Sequence, residues 1–199
     1  MNQIIFASNN LNKASEIKQM LNLEFEIITL HEAGIFIDIP EPHNTFALNA
    51  HEKSATIHKM TGMDCFAEDS GLEVDALKGA PGVQSARFSG IHGDDAANNK
   101  KLLYLLENEH NRSAQFKTVI SLILNGQNFF FEGTCQGVIA KNMQGSHGFG
   151  YDPLFIPNGY SNTFAELNPD IKNQISHRKK AVSKMIAFLL KETTNKKNH

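Results

Sequence analysis

Hydrophobic and polar positions change period along the chain, and each change predicts an element. "QIIFA" (residues 3–7) is a short apolar run of strand length. "LNKASEIKQML" then sets Ala14, Ile17 and Leu21 on one helical face, with Asn10 or Asn12 able to cap it. "FEIITL" predicts a second strand, and "EPHNTFALNAHEKSATIHKM" a proline turn followed by a helix packed through Phe46, Ala50, Ile57 and Met60. "CFAEDSGLEVDAL" predicts two short strands around an acidic turn, and "KGAPGVQSARFSG" a loop. "GDDAANNKKLLYLLENE" predicts an amphipathic helix. Two apolar runs joined by Asn125-Gly126 predict a hairpin. "GSHGFGYDPLFIP" predicts a glycine-rich loop. A last helix from near Ser176 turns Ala181, Val182, Met185, Phe188 and Leu189 to one side and frays in "TTNKKNH". Early alternation of strands and helices with a later hairpin predicts an α/β fold, a mixed sheet flanked by helices. No internal repeat or clean boundary divides it, so residues 1–199 are expected to form one domain.

Composition narrows the class. At 199 residues, 41% apolar and 20% charged, the chain has ordinary globular usage and enough length for a sizeable core. A net charge of −2 does not suit a general nucleic-acid binder, so any anion site has to be local. Cys65 and Cys135 have no paired spacing, which predicts buried thiols in a reducing compartment rather than a zinc site. No leader peptide or apolar span of membrane length is visible, so a cytoplasmic location without membrane contact is expected.

Five stretches carry chemistry. In "SNNLNK" a lysine stands in the first turn of a helix, where the dipole disfavours a cation by roughly 0.3–1 kcal/mol. Either an anion gripped by Lys13 and the helix amides, or plain solvation, resolves this. "ISHRKKA" repeats the puzzle, with His177, Arg178, Lys179 and Lys180 at a helix start. On the second helix Thr45, Asn49 and Lys53 share a face, either a cleft lining or a wet side, and Glu41 precedes it. Glu68-Asp69 puts two carboxylates side by side, and with Glu41 they could supply oxygens to Mg²⁺, which favours a few carboxylates plus phosphates. In "GFGYDP" glycines flank Phe149, an arrangement for close backbone approach and stacking on a base, or simply a tight turn. Cations at helix starts and carboxylates elsewhere are what a polyphosphate bridged by a divalent ion needs.

"SNNLNKASEI", "TFALNAHEKS", "AEDSGLEVDALKGAPGVQSARFSG", "GFGYDPLFIP" and "FAELNPDIKNQISHRKKA" occur in an order that resembles the inosine/xanthosine triphosphate pyrophosphatase family, over residues 8 to 181. His43 and Gln84 depart from that pattern, where a glycine and an aromatic are frequent. The resemblance implies hydrolysis of ITP, dITP or XTP to the monophosphate and pyrophosphate with Mg²⁺. It also implies an elongated mixed sheet, two lobes with a central cleft, and a homodimer. It maps phosphate binding onto Ser8, Asn9, Asn10, Leu11, Asn12 and Lys13, and catalysis onto Asp69 with Ser70 beside it. Base binding maps onto Phe149, Gly150, Tyr151, Asp152, Lys172, His177 and Arg178. Glu41 and Lys53 match cleft positions for metal and phosphate, and Asp69 serves as general base or as metal ligand.

Two other readings are set aside by these segments. A pyrophosphatase for modified pyrimidine or methylated nucleotides is disfavoured by "SHR" and "GFGYDP", and a non-enzymatic RNA-binding or regulatory module by the acidic Glu68-Asp69 pair.

Overall fold

The computed structural model describes residues 3–20 and 25–197. Strands β1 (Gln3–Phe6), β2 (Glu26–Thr29), β3 (Cys65–Val74), β4 (Ser113–Leu124), β5 (Gln127–Ile139) and β6 (Phe155–Pro157) form one sheet in the order β2-β1-β3-β4-β5-β6. β1 pairs in parallel with β2 and β3, whereas β5 and β6 run antiparallel, so the sheet is mixed as predicted. Helices α1 (Leu11–Met20), α2 (Phe46–Thr61), α3 (Asp95–Leu105), α4 (Pro169–Ile175) and α5 (His177–Lys197) complete the α/β architecture. Among the described residues no helix is long and apolar enough to cross a membrane.

The chain divides into two compact units. The first holds residues 1–69, 118–133 and 178–199, and the second holds 70–117 and 134–177. Because the chain passes between them repeatedly, no linker marks the division in the sequence. The first unit buries two clusters. Ile4, Phe6, Ala14 and Ile17 pack with Phe66, Ala181, Val182, Met185 and Leu189, while Ile5, Leu30, Ile57 and Cys65 form the other. The second unit packs Leu72, Leu102, Leu106, Phe116, Phe155 and Phe164 together. Cys65 and Cys135 are both buried free thiols, and burial pushes the Cys65 thiol up to about 12.

Several elements differ from the sequence-based expectation: the expected loop "KGAPGVQSARFSG" holds a 3-10 helix (Gly82–Arg87), and the expected loop "GSHGFGYDPLFIP" ends in strand β6. "CFAEDSGLEVDAL" is one ten-residue strand followed by a short 3-10 turn (Asp75–Leu77), not two strands about an acidic turn. Alternation sends Glu68 and Asp69 to opposite faces of β3, which relieves the repulsion that a turn would have concentrated. The seven-residue α4 was not predicted. It starts on Asn168, whose side chain accepts from Asp170 N, with Pro169 at its first position. α5 stays helical through Lys197, and Thr194 Oγ1 donates back to the Leu190 carbonyl at 2.9 Å. Met60 is 55% exposed although Phe46, Ala50 and Ile57 pack as expected. Leu21, expected on the buried face of α1 with Ala14 and Ile17, lies outside the described residues. The hairpin is as predicted: Asn125 and Gly126 both take positive φ, 50° and 75°, the requirement of a two-residue turn matched to strand twist.

Candidate active site

The first unit gathers the charged groups. Asn10 caps α1, its Oδ1 accepting from Lys13 N at 3.0 Å, and Ser8 Oγ accepts from Asn10 N at 3.2 Å. Asn9 Nδ2 donates to the Ile37 carbonyl at 2.8 Å. Leu11 and Asn12 are exposed. Lys13 does not stand as an uncompensated cation in the first turn, because its Nζ lies 3.3 Å from Glu68 Oε1. The start of α5 is solved the same way. Arg178, 2% exposed, donates from Nε to both Glu68 oxygens at 3.0 and 2.9 Å, and its Nη1 pairs with Glu16. The two cations at helix starts thus share one protein carboxylate. Burial alone would raise the Glu68 carboxyl, but Arg178 and Lys13 beside it hold it well below the usual carboxylate range. Glu68, one of the three carboxylates expected to supply oxygens to Mg²⁺, is engaged here by Lys13 and Arg178. Arg178, expected to face the base, is engaged with Glu68 and Glu16.

Asp69 has the opposite electrostatics. Burial pushes its carboxyl up, and the neighbouring Glu41 charge adds to this, while Lys53, Lys13 and the Asn49 amide pull the other way. Asn49 Nδ2 donates to Asp69 Oδ2 at 3.0 Å and to the His43 carbonyl at 3.1 Å, and Asn49 Oδ1 accepts from His43 N at 2.9 Å. One asparagine therefore ties Asp69 to the segment that carries Glu41. Lys53, also buried, pairs with Glu41. The face of α2 bearing Asn49 and Lys53 is thus a buried polar stripe and not the wet side. Ser70 follows Asp69 on β3 and is half-buried.

These groups suit a divalent cation together with phosphates. Lys13, Lys53 and Arg178 face four carboxylates, Glu16, Glu41, Glu68 and Asp69. With all ionised, the cluster is net negative and would repel a triphosphate arriving without a metal ion. Glu41 and Asp69 sense each other's charge, and a cation held by both would relieve that repulsion. Among the described residues no group of three or more His, Cys, Asp or Glu side chains is arranged to hold a metal ion.

The second unit gathers rings and one buried ion pair. Asp152 Oδ2 accepts from Lys172 Nζ at 2.7 Å and from Phe149 N at 2.9 Å. The Lys172 ammonium lies 5.0 Å from the Phe149 ring centre and 5.8 Å from that of Phe164. Gly148 has φ +78°, and a Cβ there would lie 2.0 Å from Asp152 Oδ2, so only glycine lets Asp152 fold back onto the loop. Gly150 N donates to Asp95 Oδ2 at 2.7 Å, and its carbonyl accepts from Asn99 Nδ2 at 2.8 Å. The buried Tyr151 hydroxyl donates to the Ser85 carbonyl at 2.9 Å. His177, also buried, stacks on Phe116 with ring centres 4.7 Å apart and planes 10° from parallel. The amides of Phe149 and Gly150 and the Lys172 ammonium thus all meet carboxylates, and only the ammonium has further N–H groups on the same nitrogen.

Sequence reasoning missed Glu16, Asn49 as an orienting group, Asp95 and Asn99. A signal existed for Asn49 and Asn99: Asn is a poor helix former, and its recurrence inside predicted helices asks for a tertiary partner.

Comparison with known proteins bears on the same residues. The model of the Ham1 family matches residues 4–188. A dITP/XTP pyrophosphatase of Flavobacterium johnsoniae is 49% identical over 187 residues, 94% of this chain and 97% of that one. The protein of the same name from Porphyromonas gingivalis is 49% identical, covering 96% of this chain and 98% of its own. Among solved structures, the Staphylococcus aureus Ham1 protein superposes with a TM-score of 0.88 at 40% identity, covering 96% of this chain and all of that one.

Proposed function

The chain belongs to the Ham1 family, and on that premise we infer that it hydrolyses non-standard purine nucleoside triphosphates, dITP, ITP and XTP, to the monophosphate and pyrophosphate. The observation that carries this reading is Asp69: a buried carboxyl raised toward the range useful to a general base, oriented by Asn49 and accompanied by Lys13 and Lys53. Phosphoryl transfer depends mainly on positioning and charge neutralisation, and the first unit supplies both.

In the proposed reaction water attacks the α-phosphorus while Asp69 accepts its proton. The bond from the α-phosphorus to the bridging oxygen breaks, and pyrophosphate leaves with that oxygen. Lys13 and Lys53 neutralise charge on the phosphates, exchanging part of their pairing with Glu68 and Glu41 for the substrate. Asp69 and Glu41 would hold Mg²⁺, which when bound offsets phosphate charge and the net negative charge of the cluster. Ser8 to Lys13 serve the phosphates at the α1 start, with Asn10 fixing the helix amides. Arg178 acts at a distance, by holding Glu68 and so the position of Lys13.

The second unit suits the base. Phe149 offers a ring for stacking. Lys172, fixed by Asp152, offers a donor to an oxygen at purine C6, as hypoxanthine and xanthine carry. Adenine presents an amino group there, so donor would face donor. A site that leaves buried polar groups unpaired can reject an analogue by about 10⁴–10⁵. Tyr151 and His177 brace the surrounding ring packing, and Ser70 continues the strand from Asp69.

Magnesium dependence, a homodimer and a cytoplasmic location belong to the same proposal. It is tested by pyrophosphate release from dITP, XTP, ITP and ATP, with magnesium and with chelator. Turnover of the first three that stops on chelation is expected. Equal kcat/KM on ATP would overturn the base assignment, and full turnover in chelator would overturn the metal assignment.

A further inference from the structure

α3 lies outside every segment assigned to the reaction, yet it holds the loop on which base recognition is proposed to rest. Asp95, in its first turn, accepts from Gly150 N at 2.7 Å, and Asn99, one turn later, donates to Gly150 O at 2.8 Å. The i, i+4 spacing puts both side chains on one face, so a single residue of the loop is held at its amide and at its carbonyl. The grip is itself braced. Asn99 Nδ2 also donates to the Asp95 carbonyl at 2.9 Å, and Asn99 is buried. Asp94 caps the helix through Ala97 N, and the Asp95 carboxylate suits the positive end of α3. A buried asparagine in mid-helix lowers helix propensity, so its retention here asks for a tertiary reason, and the Gly150 carbonyl is the partner it reaches.

Gly150 sits between the two side chains that matter. Phe149, before it, carries the ring 5.0 Å from the Lys172 ammonium, and Tyr151, after it, is tied to Ser85. Gly150 has φ +63°, a backbone state with little steric preference of its own, so the loop needs outside anchors to hold one conformation. We propose that Asp95 and Asn99 are positioning residues for base recognition: by clamping Gly150 they fix the Phe149 ring and the Asp152–Lys172 pair in the arrangement that accepts a 6-oxopurine. This rests on the functional reading above.

The test uses the full-length chain with Asp95→Ala, Asp95→Asn and Asn99→Leu. Steady-state hydrolysis of dITP is measured alongside calorimetric binding of inosine monophosphate and inhibition by inorganic tripolyphosphate. Losing the charge-assisted bond of Asp95 predicts a KM for dITP raised about tenfold or more in Asp95→Ala, and losing the neutral amide bond of Asn99 a smaller rise, about two- to tenfold, in Asn99→Leu. Inosine monophosphate binding should weaken in parallel, with kcat and tripolyphosphate inhibition unchanged. Asp95→Asn keeps an oxygen for Gly150 N and should recover most of the loss. Wild-type KM in Asp95→Ala, or tripolyphosphate inhibition weakened as much as nucleotide binding, would overturn the inference. If Asn99→Leu does not fold, the half-exposed Asp95 pair of variants decides alone. Absence of dITP turnover in the unaltered chain would count against the activity, whereas the binding comparison would still judge the clamp.

Discussion

Each unit buries an ion pair with a different cation, an arginine in the first and a lysine in the second. In the first, the Arg178 Nε–H is shared between both oxygens of Glu68, and Nη1 pairs with Glu16. In the second, the Lys172 ammonium meets one oxygen of Asp152 and lies beside two phenylalanine rings. A planar fork with several fixed partners holds one geometry, whereas an ammonium on a flexible stem is a compact charge that can turn toward another acceptor. On the proposed function the arginine pair serves as scaffold and the lysine pair as reader of the base. The adjacent carboxylates of β3 repeat the contrast within the first unit. Glu68 is held low by its cations, while Asp69 is raised by burial. Burial alone does not make a residue catalytic; what it is buried against decides.

The contrast can be broken at four points. Asp69→Asn removes the proton acceptor and should lower kcat on dITP by about 10²–10⁴. Because the Asp69 carboxyl is raised in the folded state, its contribution to stability is greatest below the ordinary aspartate range and lost as pH rises through the folded value. The variant should therefore unfold at a higher temperature than the parent at pH 7, which calorimetry reads directly. A lower unfolding temperature would mean that Asp69 is structural.

Glu68→Gln leaves Arg178 buried with only part of its counter-charge and should cost about 3–5 kcal/mol in denaturant unfolding. The sign of the pH effect is reversed here. A lowered carboxyl contributes stability that is present above the ordinary glutamate range and lost as pH falls through the folded value. The parent's acid-unfolding transition should flatten in the variant, and an unchanged transition would contradict the scaffold role.

Lys172→Met keeps the stem and removes the charge, so KM for dITP should rise at least about tenfold with much less effect on kcat. Inhibition by tripolyphosphate should not move, and a parallel loss there would place Lys172 with the phosphates. Asn10→Ala deletes the α1 cap and should cost about 1 kcal/mol. For a chain of this length that is a fall in Tm of about 2–4 °C.

Much of the fold was legible. The 3.6-residue and alternating periods located the helices and the hairpin, because those elements answer to local hydrophobic pattern and turn chemistry. The acidic strand was not. Glu68-Asp69-Ser70-Gly71 carries turn-forming residues, and only pairing within the sheet overrides that preference. α4 was missed because seven residues are too few to show a helical period. At the site, the misplaced cations Lys13 and Arg178 were visible as an electrostatic conflict, but their counter-anion was not. Glu68 stands 55 residues from Lys13 and 110 from Arg178 along the chain, so the conflict resolves only through tertiary contact.

The sequence alone thus determined the residue types, the local elements and the demand for negative charge at two helix starts, since propensity, capping and dipole act over a few residues. It also determined the family, through ordered segments from Ser8 to Ala181. Tertiary structure decided which carboxylate meets which cation, and with that the raised Asp69, the lowered Glu68 and the grip of α3 on Gly150. Desolvation and ion pairing depend on what surrounds a group in space, and neighbours along the chain do not specify that.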